Sequence, residues 1–189
     1  ALNFPEGPVW SVEGGYLLFS DIGADTIYRW TEGEGSAPFI MPSDMSNGLD
    51  FDGTGRLLAA EHATRRVSRR FIGEDAETIV DKFEGLRLNS PNDLVLAADG
   101  SIYFTDPPYG IDPNEQELDF QGVFWIDPQG ELAVLADDFD RPNGISLSPD
   151  ESLVISSDSA GDVRFWKRDG TCVKILDFGI SRINTSPSS

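Results

Sequence analysis

Four short phrases in this chain repeat one another: Glu6-Gly7-Pro8-Val9-Trp10, Asn47-Gly48-Leu49-Asp50-Phe51, Asn92-Asp93-Leu94-Val95-Leu96 and Asn143-Gly144-Ile145-Ser146-Leu147. Each opens with an oxygen-bearing side chain just ahead of a short apolar strand. The four leaders, Glu6, Asn47, Asn92 and Asn143, recur at intervals of 41, 45 and 51 residues. Repetition at that period marks a β-propeller, in which each repeat is one four-stranded blade. Equivalent positions of successive blades converge on one axis, so oxygen ligands repeated there point to a metal site.

The segments between the leaders are short alternating runs of Val, Ile, Leu, Phe and Trp, separated by turns such as Asp52-Gly53-Thr54-Gly55, Ala98-Asp99-Gly100 and Asp127-Pro128-Gln129-Gly130. Gly, Asp and Pro supply the dihedral angles of tight hairpins, and the alternating runs supply half-buried strands. No stretch carries a 3.6-residue period, so an all-β fold is expected. The expected blades are residues 1–41, 42–83, 84–139 and 140–178, followed by a Ser-rich disordered tail at 179–189.

A second regularity accompanies the first. Fifteen residues after Glu6, Asn47 and Asn143 come Asp21, His62 and Asp158, and fourteen after Asn92 comes Asp106. A strand, a tight turn and a return of equal length place each of them at the blade end that carries the leader. Asp21 and Asp158 read as strand-end caps. His62, the only histidine, and Asp106, which opens Asp-Pro-Pro-Tyr-Gly, read as site groups.

With 33 acidic against 14 basic residues, the chain carries a formal charge of −19. That excess disfavours nucleic acid and anionic membranes as partners, because both require basic patches. Cys172 stands alone, which rules out an intrachain disulfide or a thiolate cluster, and its apolar run Thr171–Leu176 suggests a buried structural residue. No apolar run reaches the roughly 18 residues of a membrane helix. A cytoplasmic protein is expected. Because the chain opens at Ala1 without Met, a periplasmic or secreted one stays open.

Glu6, Asn92 and Asn143 offer one carboxylate and two amide oxygens. These are hard donors, suited to Ca²⁺ first and to Mg²⁺ or Mn²⁺; Zn²⁺, which favours His and Cys, is the poorest match. Asn47 reads as an outer or substrate-facing member of the set.

These residues sit within longer motifs: Glu6-Gly7-Pro8-Val9-Trp10, Leu18-Phe19-Ser20-Asp21, Ser46-Asn47-Gly48-Leu49, Glu61-His62 with Arg65-Arg66-Val67, Asn89-Ser90-Pro91-Asn92-Asp93-Leu94, Phe104-Thr105-Asp106-Pro107-Pro108-Tyr109-Gly110 and Arg141-Pro142-Asn143-Gly144-Ile145. Over about residues 2–178 the chain thus resembles the gluconolactonase branch of the SMP-30/gluconolactonase/luciferin-regenerating-enzyme family. The resemblance implies a six-bladed propeller with one divalent cation in its channel, hydrolysing sugar-acid lactones or, in relatives, organophosphate esters. It implies that Glu6 and Asn143 ligate the cation, with Asn92 a ligand or a substrate contact beside it. Asn47, His62 and Ser90 would face the substrate, although Ser90 stands where some relatives carry an arginine. The general acid/base Asp that the family places in a fifth blade has no counterpart here, which leaves Asp93 and Asp106 as catalytic groups. Six blades of about 46 residues would need roughly 276 residues, so the 189-residue chain is expected to be a C-terminally truncated piece with about four blades. A related phosphotriester or ester hydrolase, or a non-catalytic metal-binding platform, is the alternative.

Overall fold

The Gly-, Asp- and Pro-bearing turns fold the chain into successive antiparallel hairpins, and the computed structural model describes them over residues 2–177. The first blade contains β1 (Pro5–Ser11), β2 (Tyr16–Asp21), β3 (Thr26–Thr31) and β4 (Gly35–Ile40). The second contains β5 (Ser46–Phe51), β6 (Leu57–Glu61), β7 (Arg66–Arg70) and β8 (Glu77–Val80). A two-stranded hairpin, β9 (Lys82–Phe83) with β10 (Leu86–Arg87), precedes the third blade: β11 (Leu94–Leu96), β12 (Ile102–Asp106), β13 (Gly122–Ile126) and β14 (Leu132–Ala136). The fourth contains β15 (Pro142–Leu147), β16 (Leu153–Asp158), β17 (Asp162–Lys167) and β18 (Cys172–Asp177). Each blade is a meander whose strands pair in chain order. Strand 9 and its partner were not foreseen; Glu84 and Gly85 turn between them with φ of 51° and 86°, the positive pair that a two-residue hairpin demands. Residue 1, residue 178 at the end of the expected fourth blade and the Ser-rich tail at 179–189 lie outside the described residues.

Three apolar clusters glue the blades face to face. Leu18 and Ile27 pack with Leu49, Leu57 and Ala59 between the first and second blades. Leu58, Ala60 and Val67 meet Leu94, Phe104 and Phe124 between the second and third. Tyr103, Val123 and Ala136 meet Ile145, Val154 and Trp166 between the third and fourth. Because side chains alternate across a strand, Leu57 and Ala59 serve one interface while Leu58 and Ala60 serve the next. Strands β6 and β12 are therefore buried at every position. In β16 burial is lower and alternates over much of the strand, as expected for a sheet packed on one described neighbour only. Cys172 departs from expectation: it is exposed, because β18 is the outermost strand of its sheet.

Candidate functional site

The inner strand of each blade brings its leader to the axis, and local geometry explains how. Register shifts fall between Glu6 and Val9, Ser46 and Leu49, and Pro142 and Ile145, immediately around three of the four leaders. Each is a bulge that bends the strand and re-aims a side chain. In the third blade, β11 pairs with β12 without such a shift. Glycine follows the leader in the first two blades because the next blade comes too close for a Cβ. A Cβ on Gly7, whose φ is +54°, would sit 2.0 Å from the Asn47 carbonyl oxygen; one on Gly48 would sit 2.6 Å from Asp93 Cα.

Hydroxyls and amides then lock each inner strand to the next. Ser20 Oγ donates to the Asn47 carbonyl at 2.8 Å and Thr105 Oγ1 to the Asn143 carbonyl at 2.7 Å. The second blade carries Ala60 at the matching place, and there the Gly48 N–H donates to the Asn92 carbonyl at 2.8 Å. Asp93 reaches across in the same way, its Oδ2 accepting from the Ile145 N–H at 3.0 Å.

Glu6, Asn47, Asn92 and Asn143 line two cavities at once. One, of about 590 Å³, is bounded by residues ahead of the inner strands and by loops, among them Phe4, Ile22, His62 and Tyr109. The other, of about 320 Å³, is bounded by residues following the leaders, among them Gly7, Asp93, Gly144 and Ile145. The four leaders thus form a partition between a loop-walled mouth and the strand-walled channel. Asn47 and Asn92 are buried at 5% and 4% exposure, whereas Glu6 is half-buried and Asn143 exposed, since they belong to the first and last blades. Among the described residues, no side-chain oxygen of the four accepts a hydrogen bond. The only side-chain bond of the set joins Asn92 Nδ2 to His62 Nε2 at 3.4 Å.

The acids that end the second strands are disposed differently. Both oxygens of Asp21 accept backbone N–H groups, from Asn3 and Phe4, each at 2.8 Å. Asp106 does the same for Asn89 and Ser90, each at 2.7 Å. Asp158 accepts from the amides of Ala160, Gly161 and Asp162. In the second blade the equivalent residue is Glu61 rather than His62. Ser46 pairs with Glu61 as Pro5 pairs with Asp21 and Pro142 with Asp158, so this hairpin is one residue shorter. Glu61 is saturated by Arg66 Nε, Ser68 Oγ and Thr64 Oγ1, each at 2.5 Å. His62 is thereby displaced past the strand end, into the mouth wall.

Asp21 and Asp158 act as the expected caps. Asp106 is fully buried, lines neither cavity and braces the chain entering the inner strand, so the reading of it as a catalytic group does not fit its placement. Ser90 is likewise fully buried and touches neither cavity; its hydroxyl has no hydrogen-bond partner. Tyr109, which the sequence reading left without a role, walls the mouth, and its hydroxyl bonds to Ser159. Its place in the stiff Asp-Pro-Pro-Tyr-Gly turn was the available signal.

Burial pushes the Asp93 carboxyl up to about 6; the Ile145 and Leu94 amides oppose that rise, and the nearby Glu6 and Asp50 charges add to it. Burial likewise pushes Asp106 up to about 7 against the pull of the Asn89 and Ser90 amides and Arg65. For Asp21, burial is outweighed by the amides of Phe4, Asn3 and Ala24, and its pKa lies below the usual value. Burial pushes His62 down to about 4, so its ring is neutral near pH 7. No cluster of three or more His, Cys, Asp or Glu side chains that could hold a metal occurs among the described residues. A cation at the partition would rely on amide oxygens together with Glu6.

A model of the SMP-30/Gluconolactonase/LRE-like region matches residues 4–171. The chain belongs to this family. A gluconolactonase of Zymomonas mobilis is 34% identical over 184 residues, covering 87% of this chain and 52% of the relative. Human serum paraoxonase/arylesterase 2 is 27% identical over 126 residues, 62% of this chain and 36% of the relative. Among solved structures, a gluconolactonase from Xanthomonas campestris aligns with a TM-score of 0.82 at 34% identity, over 93% of this chain and 62% of that one. Regucalcin from Agrobacterium tumefaciens, a calcium-binding protein, shares the fold with a TM-score of 0.74 at 16% identity, over 95% of this chain and 61% of that one. This family member spans about half the length of the gluconolactonase it matches. Among its described residues, no helix is long and apolar enough to cross a membrane.

Proposed function

We propose that this chain carries the cation-binding partition of a divalent-metal-dependent hydrolase that opens sugar-acid lactones. The observation that carries the reading is the set of four axial side chains whose oxygens accept no hydrogen bond, in a member of the gluconolactonase family. The donors fit a hard cation, because a carboxylate with neutral amide oxygens matches Ca²⁺ and, less well, Mg²⁺ or Mn²⁺, with Zn²⁺ the poorest fit. We assign Glu6, Asn92 and Asn143 as the ligands and Asn47 to the substrate side. A bound cation supplies Lewis-acid polarisation of an ester carbonyl and stabilises the charge that develops on its oxygen.

The remaining work falls to groups of the chain. His62, neutral and held in the mouth wall, borders the lactone site without adding charge. Tyr109, Phe4 and Ile22 give the mouth an apolar wall that shields a bound ring from bulk water. Asp93 is our choice of proton acceptor from water: it lines the channel face of the partition, where its Oδ1 and Oδ2 accept from the Leu94 and Ile145 amides and each oxygen keeps a second lone pair for a water reaching the partition from that face. We assign no substrate contact to Ser90 and no proton transfer to Asp106.

Aldonolactone opening, followed with a pH indicator, is the test. EDTA should abolish it and Ca²⁺ restore it; activity indifferent to EDTA contradicts the proposal. The apolar mouth wall also favours a second reading, an aryl- or phosphoester substrate, which the same assay with an aryl ester and a phosphotriester separates from the first. A non-catalytic platform would bind the cation and turn over none of the three.

A further inference from the structure

We propose that His62 is a positioning residue that fixes the amide of Asn92, so that its oxygen rather than its NH₂ group faces the partition. The inference rests on the cation-site reading above and concerns what makes one rung of that site competent. An asparagine amide has two nearly isosteric faces, and only the oxygen can ligate a cation. Without a fixed partner either face could turn to the axis.

The backbone of Asn92 is held from both sides: its N–H donates to the Thr105 carbonyl at 2.9 Å and its carbonyl accepts from Gly48 N–H at 2.8 Å. Rotation of the side chain is the freedom that remains, and the 3.4 Å contact between Asn92 Nδ2 and His62 Nε2 restrains it. An amide NH₂ only donates, so Nε2 must be the unprotonated nitrogen of the ring and Nδ1 must carry the hydrogen.

The ring itself is seated for this role. The His62 backbone N–H donates to the Met45 carbonyl at 3.2 Å, and a Cβ placed on Gly110 would lie 3.8 Å from His62 Nδ1. Gly110, in the loop after β12, thus lies beside the Nδ1 edge while Nε2 faces Asn92. Both side chains are more than nine-tenths buried. Asn47 and Asn143 make no side-chain hydrogen bond among the described residues, so of the three axial amides Asn92 is the one with a fixed orientation. The one-residue shortening of the second hairpin makes this possible. It moves the histidine off the strand end, which Glu61 occupies, and into reach of the neighbouring blade.

Because His62 is the only histidine, its imidazole ¹⁵N spectrum contains a single pair of resonances. In the unaltered chain without metal near pH 7.5, Nε2 should resonate as the unprotonated nitrogen and Nδ1 as the protonated one, and Asn92→Ala should shift the Nε2 signal. The opposite tautomer overturns the proposal without touching the cation-site reading. Calcium titration supplies the second arm. His62→Leu should weaken binding about tenfold, the usual cost of losing a partner behind a ligand. His62→Gln, which keeps an acceptor, should stay within about threefold of the unaltered protein, and His62→Leu should add nothing in an Asn92→Ala background. If Asn92→Ala weakens binding while His62→Leu does not, positioning fails and the cation site stands. If the unaltered chain binds no calcium, both fall.

Discussion

Two rings of oxygen-bearing side chains occupy the same end of the four blades, one residue apart across each hairpin. The second-strand ring, Asp21, Glu61, Asp106 and Asp158, is acidic throughout and looks the richer site. Yet every member has at least one carboxylate oxygen, and all but Asp158 both, committed to amides, hydroxyls or arginines of the chain. The inner ring, Glu6, Asn47, Asn92 and Asn143, carries one formal charge, and none of its oxygens accepts a hydrogen bond from the described residues. The difference teaches that recurrence marks architecture, whereas unspent hydrogen-bonding capacity beside a cavity marks a site. Side-chain oxygens left unpaired by the chain and converging from four repeats on the same two cavities call for a ligand.

Substitutions should separate the rings. Glu61→Ala strands Arg66 and Arg70 beside a buried gap and should cost on the order of 3–5 kcal/mol in chemical denaturation. Asp106→Asn replaces one of two acceptors with a donor that faces a backbone N–H, and about 2–3 kcal/mol should be lost. Neither residue contributes an atom to the partition. Glu6→Gln should do the reverse: calcium affinity falls at least about tenfold with loss of the one ligand charge, while stability moves by no more than about 0.5 kcal/mol. A Glu6→Gln protein that unfolds like the Glu61 variant would erase the distinction.

A separate effect is a slope with pH. Asp106 titrates near 7 when folded and near its ordinary 3.8 when unfolded. Between those values the folded chain holds the extra proton, so this group's contribution is present below about pH 4 and is lost as the pH rises through 7. Denaturation midpoints of the Asp106→Asn protein should lack that component of the slope.

Much of the fold was legible because hairpin turns and alternating apolar residues are local signals. The turns Asp52-Gly53-Thr54-Gly55, Ala98-Asp99-Gly100 and Asp127-Pro128-Gln129-Gly130 separate β5 from β6, β11 from β12 and β13 from β14. The leaders were legible through their period. What could not be read was which ring is spent, because that depends on where the chain entering each inner strand places amides such as those of Asn3, Asn89 and Ser90. Counting fifteen residues from Asn47 reached His62 instead of Glu61, since a hairpin one residue shorter leaves no mark in composition. Cys172 looked buried because an apolar run does not reveal whether its strand is the outermost of a sheet. Tyr109 and Phe4 come to the mouth through loops whose course no periodicity records.

The most direct measurement is calorimetric titration of Ca²⁺ into the unaltered chain, an Asp21→Asn variant, and a variant combining Glu6→Gln, Asn92→Ala and Asn143→Ala. The expected result is one ion bound by the first two with similar affinity and none by the third. Undiminished binding by the triple variant, or binding lost with Asp21→Asn in a folded protein, would contradict the assignment of the inner ring as the site.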